Sequence, residues 1–116
     1  MTWRSAIVAY AAGIIDGEGS IQIRRIKPYN GSVSVSYEMT VKVSNTNPLM
    51  IKFLIKHFGG SAIKESDWKG NRRPVFRWHI MGSYAESFLK EISPFIVCKI
   101  AEVDLALLFR LSIRDK

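Results

Sequence analysis

The stretch "YAAGIIDGEGSI", Tyr10–Ile21, decides how the rest of this chain is read. Residues Ala6 to Ile15 carry no charge, and they run into Asp16-Gly17-Glu18-Gly19, where two acids sit among glycines. Beyond them Ile21 and Ile23 alternate with Gln22 and Arg24, the period of a half-buried strand. The expected order is therefore a helix capped by Ser5, a stop at Gly17 and Gly19, and a strand from Ser20 to Lys27. Within the helix Ala9, Ala12, Gly13 and Asp16 recur at intervals of three and four, which places them on one stripe. Small residues there admit a second helix at close range, either from the same chain or from a second copy about a two-fold axis. The two-fold arrangement would bring two acidic turns together. Clustered carboxylates suit Mg²⁺, a hard cation that takes oxygen ligands.

Working outward, "PYNGS" at Pro28–Ser32 is turn chemistry, with Asn30-Gly31 the strongest hairpin signal. The next strand is expected over Val33 to Ser44, with Tyr37, Met39, Val41 and Val43 on its core face. Asn47 and Pro48 read as cap and first residue of a helix that Gly59-Gly60 stops. Two strands follow, Ser61 to Trp68 and Pro74 to Met81, joined by the basic loop "KGNRR". Ser83 with Glu86 reads as a capping box for a helix over Tyr84 to Ile92. A last helix after Pro94 carries apolar residues to Ile113. The whole, residues 1–116, reads as one α+β domain: four antiparallel strands with the helices on the apolar face of the sheet.

The wet face of that sheet would present Gln22, Arg24, Ser36, Glu38, Thr40, Lys42, Lys64, Arg77 and His79, with Arg72 and Arg73 at a loop tip. Any half-exposed sheet shows polar residues on one side, but a cationic bias is not implied by that. Arg and Gln suit base edges and Lys suits phosphate. The composition agrees: Lys and Arg number 17 against 10 Asp and Glu, a net charge of +7. The isoelectric point near 9.8 favours a polyanionic partner, nucleic acid before a membrane surface. Apolar residues at 47% and aromatics at 11% are ordinary for a globular chain.

Cys98 is the only cysteine, so no disulfide framework and no thiolate zinc site exists, and an intracellular, reducing compartment is expected. His57 and His79 do not make a metal centre. The uncharged N-terminal run is about the length of a signal peptide's apolar region, but cleavage at Ala9-Tyr10-Ala11 would fall inside it. It is shorter than the roughly 20 residues a bilayer span needs. His79 reads as a surface or DNA-contacting strand residue rather than a catalyst. Trp3, Trp68 and Trp78 read as packing or loop anchors, and Cys98 reads as core.

"AAGIIDGEG", Ala11–Gly19, followed by "SIQI", closely resembles the signature of the LAGLIDADG homing endonucleases. The order of helix, hairpin, helix, hairpin and two helices is similar to that family's αββαββα core, with its curved antiparallel sheet. "SPFIVCK", Ser93–Lys99, resembles the family segment that opens the late helix. The resemblance implies that Glu18 is the catalytic, metal-binding carboxylate and that the Gly17 carbonyl is a second ligand. It implies a basic residue near the scissile phosphate at Lys99 and a water-organising polar residue at Asn45, with Asp16 structural at the helix end. The cofactor implied is Mg²⁺, with Mn²⁺ able to substitute. The partners implied are double-stranded DNA with a pseudo-palindromic target and a second copy of the chain, since one motif per chain means two chains for two cuts. The outcome is a staggered double-strand break. Glu18 stands where the family's name has aspartate, Ala11 where it has leucine, and Asn45 is shorter than the glutamine often found there. The alternative on the same scaffold is a non-cleaving nucleic-acid-binding protein, either an intron RNA maturase or a DNA-binding regulator. A sheet that stacks RNA bases on aromatics fits poorly, because Tyr37, Phe76 and Trp78 fall on the core side.

Overall fold

The computed structural model describes residues 2–26 and 36–114. The elements run α1 (Trp3–Glu18), β1 (Gly19–Ile26), β2 (Ser36–Asn45), α2 (Pro48–Phe58), β3 (Ser61–Ser66), β4 (Val75–Met81), α3 (Gly82–Ile92), a short 3₁₀ turn (Ser93–Phe95) and α4 (Ile100–Arg114). The four strands make one antiparallel sheet in the order β1-β2-β4-β3. This is the α+β arrangement expected. The turn at Pro28–Ser32 and the first residues of the expected second strand lie outside the described residues.

The core lies between the sheet and the helices. Val8, Ala11, Ala12, Ile14 and Ile15 of α1 meet Met39, Val41 and Val43 of β2, Trp78 and Ile80 of β4, and Ala85, Phe88, Leu89 and Ile92 of α3. Trp78 anchors it. Its ring is fully buried, it meets Phe88 edge-on at 5.3 Å, and its indole N–H donates to the Gly59 carbonyl at 2.8 Å. Among the described residues no helix is long and apolar enough to cross a membrane.

Local signals set the start and stop of α2. Asn47 Oδ1 accepts from the Leu49 N–H at 3.0 Å, Pro48 opens the helix, and Gly59 closes it with φ 78°. Elsewhere longer-range forces move the boundaries. Thr2, not Ser5, caps α1: its hydroxyl accepts from the Ser5 N–H at 3.0 Å. The capping box at Ser83 and Glu86 does not form. Gly82, at φ 60°, turns the chain from β4 into α3 with no intervening residue, so Met81 stands at the cap position with no side-chain bond. Glu86 is instead buried and carries ion pairs to Lys90 and Arg110, each at 2.9 Å, as an enclosed carboxylate requires. The last helix does not run on from Pro94, because Val97–Lys99 is drawn into other hydrogen bonds described below.

Register and burial correct several assignments. Thr40 faces the polar side but is 4% exposed, flanked in register by Gln22 and Met81. Lys64 lies opposite Phe76, on the helix side of the sheet, where its ammonium pairs with Asp67 at 2.6 Å. Tyr37 has the core parity but is half exposed, because the outer part of the β1–β2 ladder reaches beyond the helices. Cys98 is exposed, not core, and Trp3 and Trp68 are also exposed.

Gly60 is the position where only glycine serves. Its φ is 85°, and a Cβ there would lie 2.6 Å from the His79 carbonyl and 2.8 Å from Trp78 Nε1. Gly60→Ala is expected to cost roughly 2 kcal/mol or more, read as a lower urea midpoint with the slope unchanged.

Candidate active site

The end of α1 is built by close approach. A Cβ on Gly19 would sit 2.8 Å from Ile15 Cα, so glycine lets the chain leave the helix directly into β1, and the Gly19 N–H still donates to the Ile15 carbonyl. Helix and strand thus meet without a loop. That geometry leaves Asp16, Gly17 and Glu18 at the rim between the helix layer and the sheet.

Asp16 turns toward the segment before α4. Its Oδ2 accepts from the Val97 N–H at 2.8 Å, and its Oδ1 accepts from the Cys98 and Lys99 N–H groups at 3.0 and 3.1 Å. These bonds, led by that from Val97, hold the Asp16 carboxyl below the ordinary carboxylate range although partial burial acts the other way. Lys99 returns the contact: its Nζ donates to the Asp16 carbonyl at 2.8 Å. A cation at a helix C-terminus also opposes the negative end of the helix dipole, and α1 has no basic residue of its own in that turn.

Glu18 points the other way, to β2. Asn45 Nδ2 donates to Glu18 Oε2 at 2.6 Å, while Asn45 Oδ1 accepts from the Asn47 N–H at 2.8 Å. The second bond settles which end of the amide faces Glu18, since only the oxygen can accept from a backbone N–H. Two pairs therefore flank the end of α1, Glu18 with Asn45 of β2 on one side and Asp16 with Lys99 at the entry to α4 on the other, with Gly17 between the two acids. The ammonium of Lys99 is engaged with the main chain at Asp16.

The donor set suits a hard cation. Both Asp16 oxygens are taken by backbone N–H groups, so Glu18 supplies the available carboxylate and Gly17 a carbonyl. Among the described residues no group of three His, Cys, Asp or Glu could hold a metal. One chain thus offers few protein ligands, which is how Mg²⁺ is commonly held beside substrate phosphates and water.

On the sheet, register puts Gln22, Arg24, Ser36, Glu38, Lys42, Arg77 and His79 on one face with the buried Thr40. Two of the arginines are held by acids: Arg24 by Glu38 at 2.9 Å and Arg77 by Glu65 at 3.1 Å. Glu65 falls on this face because register puts Ile63 opposite Arg77 and Lys64 opposite Phe76, the reverse of the expected phase for β3. Arg72 and Arg73 line a cleft with Thr46, Ser66 and Lys69, beside Asn45; the tip that carries them is closed by main-chain bonds between Lys69 and Arg72.

The stripe expected on α1 is corrected in two members. Ala12 is fully buried in the chain's own core, and Asp16 is bound to the α4 segment. The exposed stripe lies beside it, through Trp3, Ala6, Tyr10, Gly13 and Gly17. Ala9, half buried, borders it in a groove with Tyr10, Gly13, Ile14, Gly17, Glu18 and Met50. A Cβ on Gly13 or Gly17 would meet nothing within 4 Å, so packing within this chain does not require glycine at either position.

This combination of a helix-end acid pair and a polar antiparallel sheet under four helices is the LAGLIDADG homing-endonuclease fold, and solved structures of that class superpose on nearly the whole chain. Neither a protein-family model nor a curated protein sequence matches it. The structure of the homing endonuclease I-CvuI in complex with the I-CreI target, in 2 mM Mg with the DNA not cleaved, aligns with TM-score 0.80 at 17% identity, covering 95% of this chain and 69% of that one. I-CvuI has also been solved with its target in 2 mM Ca. An archaeal intron-encoded homing endonuclease, I-Vdi141I, complexed with DNA, aligns with TM-score 0.75 at 14% identity over 97% of this chain and 71% of its own. The meganuclease I-SmaMI, bound to uncleaveable DNA, gives TM-score 0.73 at 16% identity over 93% of this chain and 37% of its own.

Asp16 links fold to site, and its ionisation can be read directly. Because its folded value is lowered, the stability it contributes is present above the ordinary carboxylate range and is lost as pH falls through the lower folded value. Asp16→Asn should therefore lower the melting temperature at neutral pH by roughly 5 °C, the shift that about 1 kcal/mol produces in a domain near this size. The gap to wild type should narrow as pH falls through the lowered folded value, below which the wild-type carboxyl is protonated as well.

Proposed function

We propose that the chain is a sequence-specific, divalent-metal-dependent DNA endonuclease that acts as a homodimer on a pseudo-palindromic duplex and leaves a staggered double-strand break. The observation that carries this reading is the Glu18–Asn45 contact at the end of α1, where an available carboxylate stands at the margin of a cationic sheet face. In this reading Glu18 and the Gly17 carbonyl hold Mg²⁺, with Mn²⁺ able to substitute, and Asn45 fixes the carboxylate while aligning water. Lys99 lies one bond network away, ready to donate to a non-bridging phosphate oxygen when it leaves the Asp16 carbonyl. The metal, when bound, lowers the pKa of water and offsets charge on the phosphate. Gln22, Arg24, Lys42, Arg77 and His79 take the base edges, and Arg72 and Arg73 take phosphates.

Two strands need two centres. The exposed stripe of α1, with Gly13 and Gly17 open and Trp3 84% exposed, is the surface on which a second copy would pack about a two-fold axis. That packing would set two Glu18 side chains near each other and cover the aromatic ring of Tyr10.

The nuclease reading is tested with randomised duplexes and Mg²⁺. Wild type is expected to cut a subset of them, Glu18→Gln to bind that subset without cutting, and Asn45→Ala to cut roughly 10–100-fold more slowly, as for other partners that orient a metal ligand. Wild-type binding with no metal-dependent cutting would replace the nuclease with a non-cleaving nucleic-acid-binding protein.

Assembly is tested separately by solution mass at micromolar concentration. Wild type should have the mass of two chains and Gly13→Glu that of one. A wild type with the mass of one chain, both alone and on DNA, sinks the two-fold pairing.

A further inference from the structure

Across the polar face, β2, β4 and β3 contribute one connected row. Arg77 of β4 stands opposite Ser44 of β2 and Ile63 of β3, and Glu65, two residues beyond Ile63, joins the same row through its contacts to both Arg77 and Ser44. Glu65 Oε1 accepts from Arg77 Nη1 at 3.1 Å, and Glu65 Oε2 accepts from the Ser44 hydroxyl at 3.4 Å. The side chain of Arg77 is 30% exposed, so the guanidinium is confined by its neighbours as well as by the acid. Arg24, paired in the same manner with Glu38, is 62% exposed and far less confined.

Two buried nitrogens on this face, Arg77 Nε and His79 Nδ1, have no hydrogen-bond partner among the described residues. Buried polar atoms are nearly always satisfied. Here the two unsatisfied atoms lie two residues apart on β4, on the face that the proposed function gives to DNA.

We propose that Glu65 is a positioning residue for base selection: by holding Arg77 at Nη1 it presents the rest of the guanidinium to a guanine at one position of each half-site. The inference rests on the DNA-binding reading above. A tethered guanidinium loses less freedom on binding than a mobile one, and arginine to guanine O6 and N7 is the commonest specific base contact. The carboxylate also disfavours the competing use of Arg77 as a phosphate contact, because it already neutralises that charge and repels a phosphate brought near. Selectivity is thereby set by an acid that need not touch the DNA.

The test is a binding selection from randomised duplexes with the full chain, followed by affinities for the selected site and its single-base variants. Wild type, Glu65→Gln, Arg77→Gln and the double variant are compared, with melting temperatures recorded for each. Wild type should prefer guanine at one position per half-site by roughly tenfold or more. Arg77→Gln should lose that preference. Glu65→Gln should lower it at least threefold while binding unrelated duplexes more tightly, and in the Arg77→Gln background it should change base preference no further. Ser44→Ala, which frees Glu65 Oε2, should lower the preference in the same direction and serves as the readout if Glu65→Gln does not fold.

Two results overturn the inference alone: a wild type that selects a site which Glu65→Gln selects with equal stringency, or an effect of Glu65→Gln on base preference that persists without Arg77. A wild type that selects no duplex overturns the DNA reading, and the inference falls with it.

Discussion

The carboxylate of Asp16 is the interaction on which the rest of the arrangement depends. Three consecutive backbone N–H groups, from Val97 to Lys99, converge on it. Without that acceptor the exposed N–H groups of Val97 and Cys98 would turn to water, and the backbone of this segment would lose its bonds to α1. The bonds break the chain between the 3₁₀ turn and α4, fix where α4 starts, and return Lys99 to the end of α1. Charge-assisted bonds of this kind are stronger than neutral ones, so one acid joins the first helix of the chain to its last. It also leaves Glu18 with no competitor for the opposite side of the helix end.

That division of labour between two acids two residues apart follows from helix geometry. Residues i and i+2 are about 200° apart around a helix of 3.6 residues per turn, so Asp16 and Glu18 cannot face the same neighbour. One is turned toward α4 and satisfied within the chain. The other is turned toward β2, where Asn45 engages one oxygen. The glycine between them carries no side chain into the open groove, and the glycine after them permits the helix-to-strand approach that holds β1 against Ile15.

What the sequence made legible was whatever is decided locally or by strict period. The order of elements, the Asn47-Pro48 start and Gly59 stop of α2, and the inward run of Met39, Val41 and Val43 all rest on neighbours a few residues away. That Asn45 and Lys99 both reach the end of α1 was legible only through the resemblance of "AAGIIDGEG" and "SPFIVCK" to a known family, since their separation in the chain says nothing about contact. Misplaced residues were those decided by partners far off in sequence. Lys64 lies on the helix side because its register is set by β4, which leaves Ile63 and Glu65 on the polar side. Thr40 is polar yet buried because Gln22 and Met81 flank it. Ala12 belongs to the core because α1 rotates to bury Val8, Ala11 and Ile15, which turns the small-residue stripe by one position.

That rotation bears on why the fold survives at 14–17% identity to I-CvuI and I-Vdi141I. A core tolerates exchange of one apolar residue for another when volume and pattern are kept, so most inward positions carry little memory of their exact residue. Positions where backbone meets backbone are different. Gly19 lies 2.8 Å, by its absent Cβ, from Ile15, and Asp16 must be both short and charged to span three N–H groups at the start of α4. Glu18 is under neither constraint, being exposed and held by a single side-chain bond from Asn45. An additional methylene relative to aspartate moves its carboxylate outward from the helix end, and the shorter Asn45 can still meet it at 2.6 Å. A long acid and a short amide thus span the gap between α1 and β2.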